Sequence, residues 1–325
     1  MAYAFCVQTI RYTVLTGYSF RESPLSENLT YAYERWLFQS AAHLQLQSPG
    51  NWLSFYVVNN NHHTIDAHLH VNVDGTRAVS PFRASFGSYQ CLPAIQPIVL
   101  YKFVEFTVSR LHDLGVKELV ITNPPAAYQP GTIDLITTFL LNQGFEISVA
   151  EPGAVLEVKN NFRERLNAWE RRRIRQAEKV GLSFGILPLE ELESIYTFIL
   201  ACRIEREYDL SVDWETLRKT VETFPNRFLL FGVRHQSVLA AASIAIDVGN
   251  GVMANFHSAH PRDYDHLSPV VLLLEGMVGY CKERDYRILD LGTSAIEGSP
   301  NFGLLDFKLG VGATPTTKFT FRRRW

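Results

Sequence analysis

The sequence predicts a mixed α/β (α+β) protein made of two similar domains in tandem, each with a mostly antiparallel mixed sheet flanked by helices. Two observations lead to this fold class. A buried strand, an alternating strand and a turn occupy residues 52–75 and return at residues 228–251, at an offset of 176. Each copy continues with a third strand, a long helix, a short strand and a short helix followed by glycine. Because whole supersecondary units repeat in order and spacing, the pattern indicates a domain duplication rather than a solenoid.

The first predicted domain covers residues 1–158. The apolar run at 52–58 is typical of a buried strand, and the alternation at 63–73 indicates a strand with one polar face. A helical pattern follows at 94–114, and the short strand 117–123 comes after it. These elements, in this order, are the ones that the second half repeats.

Residues 159–181 are predicted to form a helix that connects the two domains. Apolar residues recur there with a helical period, basic residues gather nearly opposite, and Gly181 is a suitable end. The basic face either follows the phosphates of an RNA or is a solvated surface balanced by neighbouring glutamates. The apolar face comprises Phe162, Leu166, Trp169, Ala177 and Val180, and the basic face comprises Arg165, Arg172, Arg175 and Lys179.

The second predicted domain covers residues 182–325. It begins with a strand and two helices, which precede the repeated three-strand meander, the long helix and the short strand. The predicted elements are strand 182–187, helices 190–207 and 214–224, strands 228–234 and 238–248, helix 268–284 and strand 286–292.

The composition is that of a globular protein, with 46% hydrophobic and 20% charged residues in a chain of 325. The formal net charge is −2, so binding to nucleic acid would need a local basic patch, and we expect no DNA partner. Four cysteines lie far apart in apolar runs, which favours free buried thiols and a cytoplasmic location. No run approaches the roughly 18 apolar residues of a membrane span, so we expect none.

Three stretches of the second half carry a family resemblance: HPRDYDHLSP at 260–269, ILDLG at 288–292 and FGLLDFKLGVGA at 302–313. They are similar to the Fem-like acetyltransferase domain of the GNAT superfamily, and the first half resembles it in architecture and in SPFRASFG at 80–87. Two copies in one chain resemble the FemAB-type aminoacyltransferases. The resemblance implies tandem GNAT-like domains, the first of them degenerate, that transfer an acyl or aminoacyl group to an amine in the cleft between domains.

The resemblance also bears on the donor. A GNAT acetyltransferase normally holds the pyrophosphate of coenzyme A on a glycine-rich turn at the start of its long helix. Here residues 260–266 contain no glycine and include Asp263 and Asp265, so coenzyme A is disfavoured and no cofactor is certain. Fem-type enzymes take the aminoacyl group from a charged tRNA, which makes aminoacyl-tRNA a possible donor, although the coiled-coil arm of some Fem proteins is absent.

The expected acceptor is a small molecule or a peptidoglycan-precursor-like substrate. Two alternatives remain open from the sequence. One is an acyl-CoA N-acyltransferase with an altered pyrophosphate loop, and the other is a non-catalytic binding module for a cell-wall-type precursor.

Five residues are predicted to be catalytic. Lys308 matches the lysine of the Fem-like FK-x-x-G ending, where a cation stabilises the developing oxyanion. His257 and His260 flank the end of the third strand, where the amine would lie, and a neutral imidazole can take its proton. Tyr264 and Asp290 are weaker candidates, and Asp290 alternates with leucines on its strand. Each of these residues also has a purely structural interpretation as a satisfied polar side chain.

Three residues are predicted to bind substrate. Arg173 falls on the apolar side of the connecting helix and therefore needs a carboxylate or an anionic substrate. Arg83 belongs to the SPFRASFG stretch that carries the resemblance of the first half. Ser268 is predicted to cap the long helix, with proline at the first helical position, and that helix end is also a potential anion site.

A metal site is not predicted. Asp66, His68 and His70 share one face of an alternating strand, close to His62 and His63. However, no cysteine or suitably spaced carboxylate completes a ligand set, and a polar strand face gives the same pattern.

Overall fold

The computed structural model describes residues 17–25, 28–159 and 161–325. Over these residues the two halves form one mixed sheet of 14 strands with helices packed on it. The predicted mixed α/β fold is therefore confirmed. The first 16 residues of the first predicted domain, including Cys6, lie outside the described residues. The other three cysteines are free and buried, as expected.

The first half begins with two short strands and one short helix, and then forms the meander, the long helix and the closing elements that the repeat predicts. Short 3-10 turns at 37–39 and 126–128 lie between them. The elements are β1 (Tyr18–Glu22), β2 (Thr30–Tyr31), α1 (Ala41–Gln47), β3 (Trp52–Asn59), β4 (Thr64–Asp74), β5 (Arg77–Ser80), β6 (Gln90–Cys91), α2 (Pro97–Asp113), β7 (Glu118–Thr122), α3 (Pro130–Asn142) and β8 (Glu146–Glu157).

The second half repeats this order after two connecting helices, and a small hairpin is added next to its last helix. The elements are α4 (Phe162–Arg165), α5 (Ala168–Lys179), β9 (Leu182–Leu187), α6 (Leu192–Ile204), α7 (Trp214–Thr223), β10 (Phe228–His235), β11 (Val238–Gly249), β12 (Val252–Ala259), α8 (Pro269–Glu283), β13 (Ile288–Thr293), β14 (Ala295–Ile296), β15 (Ser299–Pro300), α9 (Phe302–Gly310) and β16 (Thr314–Arg324).

The two halves exchange their last strands. Strand β8 of the first half pairs antiparallel with β13 of the second, and β16 of the second half pairs antiparallel with β7 of the first. Strands β8 and β16 also pair with each other, so the sheet continues through the middle of the molecule. How these last strands pair was not predicted from the sequence. The boundaries at residues 158 and 182 describe the sequence repeat and stay a prediction.

The connecting helix differs from the prediction because it is broken into α4 and α5. Leu166 has an extended backbone, with ψ 139°, so the helical hydrogen bonds cannot continue through it. Asn167 then caps α5 by accepting a hydrogen bond from the amide of Glu170. The break rotates the second segment, which leaves Trp169 58% exposed, whereas Ile174 is buried.

Three apolar cores hold the sheet and helices together. One lies under α2 and α3 in the first half, and another lies under α5 and α8 in the second. The third joins the halves, because Trp36, Phe86 and Tyr128 of the first half pack with Ile195 and Ile199 on α6. Burial of apolar surface is the main stabilising contribution in such a core, so the halves are held as one body.

Candidate functional site

A cleft opens where two parallel strands of the second half separate. Strands β12 and β13 pair only from Val252 opposite Ile288 to Ala254 opposite Asp290, and beyond these residues they diverge. A β-bulge at Phe256 bends β12 at the same place, since its neighbours in sequence pair with consecutive residues of β11. Bulges of this kind re-aim side chains and are frequent next to active sites.

The cleft has a volume of about 880 Å³ and is lined by residues of both halves. The first half contributes aromatic residues, and the second half contributes most of the polar and charged ones. Five predicted site residues line it, namely His257, His260, Ser268, Asp290 and Lys308.

Lys308 is buried at the wall of the cleft, with 4% of its surface exposed. Its ammonium donates hydrogen bonds to the carbonyl oxygens of Gly292 and Thr293, each at 2.8 Å. Burial lowers the pKa of Lys308 to about 8, and the nearby carboxylate of Asp290 opposes this shift. An ammonium has three N–H donors, so two are used by the chain and one is left for another acceptor.

Asp290 is a buried carboxylate that connects the two halves. One of its oxygens accepts a hydrogen bond from the hydroxyl of Tyr128 at 2.7 Å, and the other accepts from the amide of Gly292 at 2.8 Å. Burial raises the pKa of Asp290, while these hydrogen bonds and the charge of Lys308 favour the ionised form. Gly292 has φ +75°, a conformation that favours glycine, and the turn there brings its amide to Asp290.

His257 lines the cleft and carries a ring nitrogen without a hydrogen-bond partner. The side chain is 6% exposed, and its Nε2 is buried without a hydrogen-bond partner. Burial lowers the pKa of His257 to about 4, and the charge of Arg203 adds to this shift. The imidazole is therefore neutral near pH 7.

Arg203, at the end of α6, also lines the cleft. Within the described residues it forms no ion pair, and burial lowers its pKa. A partly buried guanidinium without a carboxylate partner suits an anionic ligand.

His260 and Asp265 belong to the loop between β12 and α8, and both take part in an internal network. The Oδ1 atom of Asp265 lies 2.9 Å from Nε2 of His260 and accepts a hydrogen bond from Arg206 at 2.5 Å. Burial lowers the pKa of His260 and the charge of Arg206 adds to the shift, whereas Asp265 opposes it. The loop is therefore held by an ion pair with Arg206, which follows α6, and by the contact between His260 and Asp265.

Ser268 is the N-cap residue of α8, but its side chain forms no capping hydrogen bond. The reason is its left-handed backbone, with φ 50° and ψ 55°, whereas capping side chains normally require an extended residue. The amides of Leu267 and Ser268 donate to carbonyl oxygens of Tyr264 and Asp265, and Pro269 has no N–H. The start of this helix therefore offers few free donors to a diphosphate.

Three predicted site residues do not line the cleft. Tyr264 packs against the core under α8. Arg173 donates to the backbone carbonyl of Asp265, its guanidinium lies 4.8 Å from the centre of the Trp169 ring, and its Nε atom is buried without a hydrogen-bond partner. Arg83 is exposed, because the loop that contains it turns other residues toward the cleft.

Several cleft residues were not predicted from the sequence. Arg203 and Arg206 are three residues apart near the end of a predicted helix, a spacing that places them on one face and is a detectable signal. Tyr128 gives no such signal, because it reaches Asp290 across 162 residues of sequence. Phe38 and Phe86 are further cleft residues from the first half.

Neither a metal site nor a membrane-spanning helix is found in the part of the chain that the structure describes. Over residues 17–25, 28–159 and 161–325, no group of three or more His, Cys, Asp or Glu side chains could hold a metal ion. Over the same residues, each helix is too short or too polar to cross a bilayer.

Comparison with known proteins agrees with this architecture. Residues 164–308 match the acetyltransferase (GNAT) domain family. A search of curated proteins gives no match. Among solved structures, FemX aligns over 89% of this chain and 92% of its own, with 12% identity and a TM-score of 0.68.

Two further structures have the same fold. L-PGS from Bacillus licheniformis aligns over 88% of this chain and 87% of its own, with 12% identity and a TM-score of 0.53. A C-terminal domain assigned to a lysylphosphatidylglycerol synthetase from Agrobacterium fabrum aligns over 79% of this chain and 80% of its own, with 10% identity and a TM-score of 0.51. At such low identities the likeness concerns the fold.

The family match and the structural similarity lead to the same assignment. The match of residues 164–308 to an acetyltransferase domain family supports an acyltransferase. The chain as a whole resembles the Fem-like proteins of the GNAT superfamily.

Proposed function

We propose that the protein transfers an acyl or aminoacyl group directly to an amine acceptor in the cleft. The observation that carries this proposal is the buried ammonium of Lys308, which lies at the wall of the cleft and has one N–H donor to spare. The match of residues 164–308 to a GNAT acetyltransferase domain supports the same type of reaction.

In the proposed reaction the acceptor amine attacks the carbonyl carbon of an activated ester. A C–N bond forms and the negative charge moves to the carbonyl oxygen; the C–O bond to the leaving group then breaks, and the proton lost by the amine passes to the departing oxygen. We assign the free N–H of Lys308 to that oxyanion, since a positioned donor in a desolvated site stabilises developing charge strongly. A pKa of about 8 keeps most of this ammonium protonated at neutral pH.

Other polar residues that line the cleft suit the acceptor. We assign the unpaired Nε2 of His257 to a hydrogen bond with the acceptor amine, because an imidazole with a pKa of about 4 is a weak general base. Arg203 is assigned to an anionic group of the substrate. Asp290 and Tyr128 are positioning residues, and they hold the turn whose carbonyl oxygens bind Lys308.

We further propose that the donor is not coenzyme A. The amides of Leu267 and Ser268 are already bonded within the loop, and Pro269 has none. The Fem-like fold favours an activated amino acid, with aminoacyl-tRNA as a possible donor. A peptidoglycan-precursor-like or other small amine is the proposed acceptor.

Thermal-shift measurements with candidate ligands test this proposal. The ligands are coenzyme A, acetyl-CoA, a nucleotide-linked cell-wall precursor and charged tRNA. A true ligand at 100 times its dissociation constant stabilises the protein by about 2.7 kcal/mol. We expect stabilisation by a precursor or by charged tRNA, and transfer of a labelled amino acid when both are present. Acetylation of an amine that depends on acetyl-CoA would overturn the donor assignment.

A further inference from the structure

A second cavity lies in the first half and shares no lining residue with the cleft. Its volume is about 190 Å³. Aromatic and aliphatic side chains form about half of its wall, and the polar side chains of Arg35, Gln45, Ser54 and His70 also line it. The residues that matter here are Tyr31, Arg35, Leu44, Trp52, Tyr56 and His70.

His70 lines this cavity and carries a ring nitrogen without a hydrogen-bond partner. The side chain is 5% exposed, its Nδ1 lies 2.7 Å from Oγ of Ser54, and its Nε2 is buried without a partner. Burial lowers the pKa of His70 to about 3, and the charge of Arg35 adds to the shift, so the ring is neutral. A buried polar atom without a partner destabilises the protein, and a hydrogen bond to a bound ligand would remove that cost.

His68, two residues before His70 on the same strand, has a similar arrangement. Nδ1 of His68 lies 2.5 Å from the hydroxyl oxygen of Tyr33, its Nε2 is also buried without a partner, and its ring centre is 4.5 Å from that of His70. Two such nitrogens suggest a metal. However, no set of three possible ligands exists over the described ranges 17–25, 28–159 and 161–325.

Arg35 gives the cavity its charge. Its guanidinium carbon lies 4.3 Å from the centre of the Tyr31 ring, so the ring covers one face of the group. Among the residues that the structure describes, no carboxylate forms an ion pair with Arg35. An unbalanced cation beside a neutral imidazole disfavours a cationic ligand and favours an anion.

The size and the walls of the cavity restrict the anion further. Leu44, Trp52 and Tyr56 offer apolar surface. A cavity of about 150 Å³ lined by apolar residues takes up benzene in another protein, so a cavity of 190 Å³ has room for a slightly larger molecule. We propose that this cavity binds a small carboxylate with an apolar body of about that size, with the carboxylate held by Arg35 and by an Nε2–H of His70.

Titration of the purified protein with sodium benzoate tests the proposal. The uncharged benzyl alcohol, which has nearly the same shape, is the matched ligand. Imidazole ¹H–¹⁵N correlation spectra report binding at His70. We expect saturable binding of benzoate that shifts the His70 signals, and binding of benzyl alcohol about tenfold or more weaker, because a charge-assisted hydrogen bond is lost.

Variants locate the charge that is responsible. Arg35→Met should weaken benzoate binding about tenfold or more, and Arg35→Lys should keep part of it. Arg203→Met, which alters the cleft instead, should leave the affinity unchanged. Equal affinity of wild-type protein for benzoate and benzyl alcohol would overturn the proposal, as would loss of benzoate binding in Arg203→Met alone. The comparison of ligands uses only wild-type protein and stands even if Arg35→Met fails to fold.

Discussion

The same place in the fold is apolar in the first half and charged in the second. Leu140 and Lys308 are equivalent, because the amide five residues later bonds back to each of them: Phe145 to Leu140 and Ala313 to Lys308, both at 3.1 Å. Leu140 is fully buried in the apolar core of the first half, whereas Lys308 is 4% exposed and lies near the carboxylate of Asp290. A buried charge is costly even when paired, so its presence in one copy alone points to function there.

The parallel strand pairs near these two residues also differ between the halves. In the first half β5 and β7 stay paired through Ser80 opposite Ile121, and the following loop returns to them. Gly87 donates to the carbonyl of Thr122 at 3.0 Å, so this loop fills the gap. In the second half the corresponding strands part after three residue pairs and the gap remains open as the cleft. The gap is therefore filled by a loop in the first half and open in the second.

The largest effect is expected from placing a charge in the apolar copy. Leu140→Lys should destabilise the protein by about 3–5 kcal/mol, because it places an ammonium among the buried apolar side chains of the first-half core. Urea unfolding measures this change. Leu140→Met is the control and should cost less than about 1.5 kcal/mol. If Leu140→Lys unfolds like the wild type, the position tolerates charge and the comparison fails.

Removing the charge from the second copy should affect turnover. Lys308→Met should lower the rate of transfer about 100-fold, as expected when an oxyanion donor is lost, and Lys308→Arg should keep part of the rate. The assay is the transfer of a labelled amino acid, with folding checked by circular dichroism. Lys282→Met, on the exposed face of α8, is the matched control. Normal turnover in Lys308→Met would return this lysine to a structural role.

A smaller effect is expected from disturbing the closed gap of the first half. A Cβ atom at Gly87 would lie 2.6 Å from the backbone nitrogen of Pro81, so the loop must shift. Gly87→Ala should therefore destabilise the protein by about 1–3 kcal/mol. Gly50→Ala, where a Cβ meets nothing within 4 Å, is the control. Equal unfolding midpoints for the two variants would show that the loop is not needed to close the gap.

The smallest effect concerns pH. Burial lowers the pKa of Lys308 from 10.5 to about 8, so above pH 8 the unfolded chain holds a proton that the folded protein has lost. Stability therefore rises with pH in this window, and the wild type should gain about 1 kcal/mol relative to Lys308→Met between pH 7 and 9. The measurement is urea unfolding of both proteins at each pH. A constant difference would mean that the amine titrates normally.

The elements of both halves could be predicted because their signals are local. Helix α8 was predicted at 268–284 and runs over Pro269–Glu283, since its apolar period and its proline are visible in sequence. The exchange of β8 and β16 was not predicted, because the choice of a pairing partner depends on contacts distant in sequence. The break at Leu166 was also missed. The helical period continues through it in the sequence, and the side-chain cap at Asn167 that starts a new helix competes with that period.

Residues of the site could be predicted only where they belong to a recognisable stretch of sequence. Lys308, Asp290 and His257 were singled out from stretches of sequence, and all three line the cleft. Tyr128 and the aromatic wall come from the other half, and only the folded chain brings them there. Arg173 looked like a substrate ligand because it lay on an apolar helix face, yet it donates to a backbone carbonyl and lies near a tryptophan ring.

The position of β16 has a consequence for the order in which the chain folds during translation. This strand is made after every other strand described, yet it lies between β7 and β8 in the middle of the sheet. Domains generally fold from the N-terminus as they are synthesised, but here the first half lacks a central strand until residues 314–324 have left the ribosome. A nascent chain that stops before residue 314 exposes unpaired edges on both β7 and β8, and such edges are prone to aggregation.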